Sequence, residues 1–257
     1  MKKNTLVRIM FYCLFTIIMI SCSKDGNEIN NEASNTNGKS GSITKFAVVG
    51  NYLYALNNNK LEVYDIMDKS NPTKINSIVI GYTIETIFAY NQKLYVGAAD
   101  GIFIVDISNP RIPELKGSAS HQYGCDPVVT KGFIAYSTVS VERRCGSFVN
   151  NSALNILNVS DDSNPYIINS INLSEAKGLG YDGNTLFVCT GETGFIVYDI
   201  SSPNEFNPVA LDTISSINAT DVIAENGILI VSSPDKYSFY DYTDLSNIHL
   251  LNSIIKN

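Results

Sequence analysis

From residue 43 to residue 255 short apolar runs alternate with clusters of turn-forming residues, and the same order recurs five times. One run in each unit ends in an acid or amide: Leu61–Asp65, Ile102–Asp106, Leu154–Asn158, Phe195–Asp199 and Tyr237–Asp241. The Asp/Asn positions 65, 106, 158, 199 and 241 are separated by 41, 52, 41 and 42 residues. A second run precedes each of these, with an Asn or Gly just before it: Tyr52–Ala55, Leu94–Val96, Ile134–Ser137, Leu186–Val188 and Ile228–Val231. The runs are short and rich in β-branched and aromatic residues, which predicts strands. In the second unit the pattern predicts four of them, at Phe88–Tyr90, Leu94–Gly97, Ile102–Ile107 and Glu114–Ser118. No stretch of the mature chain carries a helical period.

Four antiparallel strands in a unit of roughly 41 residues is the spacing of propeller blades, and strand chemistry excludes a solenoid of helical pairs. The fold class expected is therefore all-β: a β-propeller of about five four-stranded blades over residues 43–257. The fifth unit supplies its own outer strand at Ile248–Ile255, so the ring is expected to close by packing, with no strand exchanged between the chain ends. The repeated Asp stands at a strand end before a turn, where a carboxylate accepts hydrogen bonds from the amides that follow. Asn158 can replace that acceptor but is a poor cation ligand, so the position reads as structural.

These residues resemble the LVIVD-repeat β-propellers, a family named after a strand like Ile102-Phe103-Ile104-Val105-Asp106. The resemblance covers residues 43–255 and includes the Asp-Ile-Ser-x-Pro turns at 106–110 and 199–203. It implies the propeller fold and carries no agreed activity. It extends to the third unit, where Gly124-Cys125-Asp126-Pro127 and Arg144-Cys145-Gly146 look like a Cys-containing blade of secreted members.

The N-terminus departs from this pattern. Lys2, Lys3 and Arg8 precede an apolar run, Ile9–Ile20, interrupted only by Thr16, and the run ends at Ser21-Cys22. Such a run is too short to span a bilayer, which takes about 20 residues, and has the layout of a signal peptide. Met19-Ile20-Ser21-Cys22 resembles the lipobox of bacterial lipoproteins. Residues 1–21 are thus expected to be removed as a lipoprotein signal, with Cys22 acylated by palmitate-type chains, each buried CH₂ adding about 0.8 kcal/mol of membrane affinity. Residues 22–42 are rich in Asn, Ser and Gly and read as a flexible tether. Ser23-Lys24-Asp25 with Glu28 resembles a short export signal of outer-membrane lipoproteins, which places the protein in the cell envelope, lipid-anchored to the outer membrane and facing the periplasm or the cell surface.

The formal charge of −7 falls to −10 once the signal is lost. Such a surface repels phosphate backbones, so nucleic acid is not an expected partner. With Cys13 in the signal and Cys22 acylated, Cys125, Cys145 and Cys189 remain. Cys189 lies in the apolar run Leu186–Cys189 and reads as buried, which leaves Cys125 with Cys145 as the expected disulfide. The 52-residue step places about eleven extra residues between the second and third strands of the third unit, and the disulfide would pin this insertion over the channel mouth, at about 3 kcal/mol.

The same face should present Tyr82, Glu85, His121, Tyr123, Asp126, Arg143, Arg144, Lys177 and Asp221, with Asp100, Glu142, Glu192, Asp235 and Lys236 at its loops. Loops on a rigid scaffold are where binding sites concentrate. Glu85, Asp126 and Asp221 suggest carboxylates gathered at the mouth, yet no metal set, cofactor motif or catalytic triad is present, and His121 and His249 stand far apart in the repeat. The sequence favours a non-catalytic module that binds an envelope protein or glycan. The alternative is a hydrolase or lyase using Glu85, Asp126 and Asp221.

Overall fold

The computed structural model describes residues 41–120, 127–140 and 152–256. Blade 1 comprises β1 (Phe46–Val49), β2 (Tyr52–Asn57), β3 (Lys60–Asp65) and β4 (Thr73–Val79). Blade 2 comprises β5 (Ile84–Tyr90), β6 (Lys93–Ala98), β7 (Gly101–Asp106) and β8 (Glu114–Ser120). Blade 3 has β9 (Val128–Lys131), β10 (Ile134–Val139), β11 (Ser152–Asn158) and β12 (Tyr166–Leu173). Blade 4 has β13 (Leu179–Asp182), β14 (Thr185–Cys189), β15 (Phe195–Asp199) and β16 (Val209–Ile214), and blade 5 has β17 (Asp221–Glu225), β18 (Ile228–Ser232), β19 (Lys236–Asp241) and β20 (His249–Ile255). Each blade is one antiparallel sheet in chain order, so no strand is exchanged between the chain ends. The first strands β1, β5, β9, β13 and β17 lie innermost, each beside the next. The only described helical turn is the 3₁₀ segment Asn204–Phe206.

The turn residues form the corners they predict. Between first and second strands the chain takes positive φ at Gly50, Asn91, Gln92, Gly132, Gly183, Asn226 and Gly227, the residue types that tolerate it best being Gly and Asn. The repeated acid accepts the amide two residues on in all five blades: Asp65 from Met67 at 3.0 Å, Asp106 from Ser108 at 2.7 Å, Asn158 from Ser160 at 2.9 Å, Asp199 from Ser201 at 2.8 Å and Asp241 from Thr243 at 2.8 Å. The carboxyls of Asp106 and Asp241 are held below the usual range first by the Ser108 and Thr243 hydroxyls and then by these amides, and those of Asp65 and Asp199 first by the amides.

Neighbouring blades share hydrophobic cores. Tyr54 of blade 1 packs with Ile87 and Val105 of blade 2, Tyr95 with Val128 of blade 3, Tyr136 with Leu179 of blade 4, and Phe187 with Val222 of blade 5. Tyr54 and Tyr136 also donate their hydroxyls to the next blade, to Pro110 O at 3.0 Å and Glu205 O at 2.9 Å. The bond is apt because a buried phenol needs a partner.

The fifth junction differs from the expectation of closure by packing. Among the described residues no core joins blade 5 to blade 1. Phe46 is 59% exposed, whereas its counterparts Ile87, Val128, Leu179 and Val222 are all buried. Val48 is exposed too, and Leu53 and Ile230 are only partly buried where their counterparts in other blades are fully covered. Composition explains the difference. At the position where blades 2 and 4 place Phe103 and Ile196, blade 1 has Glu62, which accepts from Lys74 at 2.5 Å, from Tyr64 Oη at 2.7 Å and from Asn57 at 3.2 Å. On the facing surface of blade 5, the Lys256 ammonium lies 4.3 Å from the centre of the Tyr237 ring and donates to Ser232 Oγ at 3.0 Å. Apolar Phe46 and Val48 stay exposed beside the Glu62 cluster.

Candidate functional site

The face built by the incoming ends of the first strands and by the loops between second and third strands has a mouth around the axis. Aromatic side chains of the first strands link blades 2, 3 and 4. Phe88 and Tyr181 lie with ring centres 6.4 Å apart, Tyr181 donates to Thr130 O at 2.9 Å, and Tyr90 Oη receives the Gly132 amide at 3.0 Å. These contacts tie the first strands of blades 2, 3 and 4 together.

The sequence-predicted residues meet different fates here. Tyr82 is 80% exposed on the connection from blade 1 to blade 2. Glu85 lies on β5, partly buried; burial raises its carboxyl pKa and the positive charge of Lys45 opposes the rise. Lys177 pairs with Glu175 at 3.0 Å, and burial lowers its pKa. Its carbonyl accepts the Thr138 hydroxyl and its amide bonds Cys189 O at 3.0 Å, tying blade 3 to blade 4.

Asp221 begins β17, and burial raises its pKa against the opposing effect of several hydrogen bonds. Its partners are the Val222 amide and, from the segment before β1, the Ser42 hydroxyl at 3.1 Å and the Ser42 and Ile43 amides. Ser42 and Gly41, at the end of the stretch read as tether, are buried against the propeller. Of Glu85, Asp126 and Asp221, the two that are described both feel one entering segment, Asp221 through bonds from Ser42 and Ile43 and Glu85 through the positive charge of Lys45.

His121, Tyr123, Cys125, Asp126, Glu142, Arg143, Arg144 and Cys145 lie outside the described residues, as do Cys22 and the signal segment. Cys189 is free and fully buried, and burial, with the nearby Asp221 charge, raises its thiol pKa well above the ordinary value. Among the described residues no group of three or more His, Cys, Asp or Glu is placed to hold a metal ion. His249 sits on the outer strand β20, its Nδ1 3.0 Å from Asn247 O. Two buried polar atoms at this end of blades 2 and 3, Asp100 Oδ1 and Ser137 Oγ, have no hydrogen-bond partner. Ser137 was not legible as special, because it sits within an ordinary strand pattern.

The profile of the LVIVD repeat matches residues 40–79 and 87–120. Two stretches of this β-propeller thus carry the LVIVD repeat. The matched residues are blades 1 and 2, including the incoming segment with Ser42. Solved structures extend the likeness of the LVIVD-repeat protein across most of its length. A protein from Lactobacillus plantarum is 14% identical with a TM-score of 0.62, 80% of this chain covering 73% of that one. The periplasmic gluconolactonase PpgL of Pseudomonas aeruginosa is 11% identical with a TM-score of 0.59, over 80% of this chain and 67% of that one. BamB from Moraxella catarrhalis is 8% identical with a TM-score of 0.53, over 71% of this chain and about half, 52%, of that one. At such identities the likeness is one of fold. No curated protein matches the sequence. Among the described residues no helix of the LVIVD-repeat protein is long and apolar enough to cross a membrane.

Proposed function

We propose that this LVIVD-repeat protein is a cell-envelope lipoprotein, anchored through Cys22 to the outer membrane, whose propeller is a non-catalytic module that binds a protein or glycan partner. The observation that carries the reading is the use made of the mouth carboxylates. A general acid or nucleophile has to reach substrate. Asp221 instead accepts bonds from Ser42 and Ile43, and Glu85 is partly buried within reach of the Lys45 charge. The exposed Tyr82 and the third-blade insertion around Arg143 and Arg144 then provide the surface for recognition, with Tyr able to bury an aromatic face while its hydroxyl stays wet.

The test pairs capture with turnover. Lipid-free protein and its Glu85→Ala/Asp126→Ala variant are used to pull down partners from native membranes, and both are assayed on envelope polysaccharide. The proposal expects the same partner with both proteins and no turnover. Polysaccharide cleavage by the unaltered protein that the double variant abolishes, with no partner recovered, would favour the hydrolase or lyase and overturn it.

A further inference from the structure

Four junctions between blades are held by buried cores, while the described contact from blade 5 toward the start of blade 1 is made by the residues ahead of β1. Ser42 is 1% exposed. Its hydroxyl donates to Asp221 Oδ1 at 3.1 Å and accepts from the Leu179 amide at 2.8 Å. One oxygen thus joins the first residues of β13 and β17, a task that needs a group both donating and accepting, which Ser has and Ala lacks. Two glycines make room. A Cβ on Gly41 would stand 2.0 Å from Asp221 Oδ2, and one on Gly178 would stand 2.1 Å from Oδ1. Two residues beyond Ser42 the chain reaches a different blade: Thr44 O accepts the Ile87 amide at 2.9 Å, and Thr44 Oγ1 donates to Ile87 O at 3.3 Å.

We infer that Asp221, Gly178 and the Leu179 amide form a binding site for an extended Gly-Ser segment, filled in cis by Gly41–Ser42, which straps blades 4 and 5 to blades 1 and 2 across the unpacked junction. The strap takes the place of a fifth core. Among the described residues no core is shared at that junction, and hydrogen bonds across the mouth hold it instead. Cutting or dislodging the chain near residue 42 frees blade 5 before it disturbs blades 2 and 3.

Residue-resolved amide hydrogen exchange on the full mature chain tests this, with Ser42→Ala removing the ligand and Gly178→Ala displacing the carboxylate from the other side. Both variants keep the four cores intact. The expected result is at least tenfold faster exchange of the Leu179 amide, with faster exchange at Val222, at Ile87 and along β17, while β7 and β11 are unchanged. Unaltered protection at Leu179 and Val222 in both variants would overturn the assignment. So would a loss of protection spread evenly over all five blades, since the segment would then be one more element of a uniform fold.

Discussion

The acids of this chain are placed by local chemistry, and their roles follow from what meets each carboxylate. Asp65, Asp106, Asp199 and Asp241 turn the chain by accepting amides two residues ahead, and Asn158 does the same work with its amide oxygen. That use was legible in the sequence because partner and acceptor are two residues apart. The role of Glu62 was not legible, because Lys74 reaches it only once β3 and β4 pair. The Lys74 ammonium, then the Tyr64 hydroxyl, pull its pKa down from 4.5 to about 2. A carboxyl with a lowered folded pKa stabilises the fold above its unfolded value, and that contribution is lost as pH falls. Stability from this network is therefore expected to be whole above about pH 4.5 and to drain away toward pH 2. Urea unfolding of Glu62→Gln against the parent checks it: the difference in midpoint should be largest at neutral pH and vanish near pH 2, and a difference that does not change with pH would refute the assignment.

At the scale of the element, the alternation of apolar and polar residues places the strands closely. β6, β7 and β8 start and end within two residues of the predicted runs, and β20 occupies the expected outer strand. The pattern does not say which face meets which neighbour. Leu53 and Leu94 stand at equivalent places in β2 and β6, yet Leu94 is fully buried and Leu53 only partly. Truncating a buried Leu costs about 2–5 kcal/mol, cavity included. Leu94→Ala is expected to cost about 3 kcal/mol, and Leu53→Ala less than about 1 kcal/mol, because its methyls face a junction with no shared core. Equal losses in denaturant unfolding would mean that blades 1 and 5 are packed as tightly as the others.

For the whole molecule, the proposed lipid anchor predicts that Cys22→Ala abolishes incorporation of labelled palmitate and moves the protein from the membrane to the soluble fraction, with the unfolding transition of the propeller unchanged. Label retained in the variant would refute acylation at Cys22. The sequence by itself determined the number of blades, the strands of each and the Asx turns, since these rest on a repeat and on contacts a few residues apart. It also brought Asp221 forward as a mouth residue. Only the tertiary structure decided what Asp221 does, because its partner Ser42 lies 179 positions away in a stretch whose composition reads as tether. The same holds for the fifth junction. Four interfaces with a buried core and one without, among the described residues, come from repeats that look alike in one dimension, and Glu62, Tyr64 and Lys74 meet on the face of blade 1 that shares none of those cores. Local patterning encodes the blade, whereas closure depends on pairs distant in the chain, and no periodicity records those.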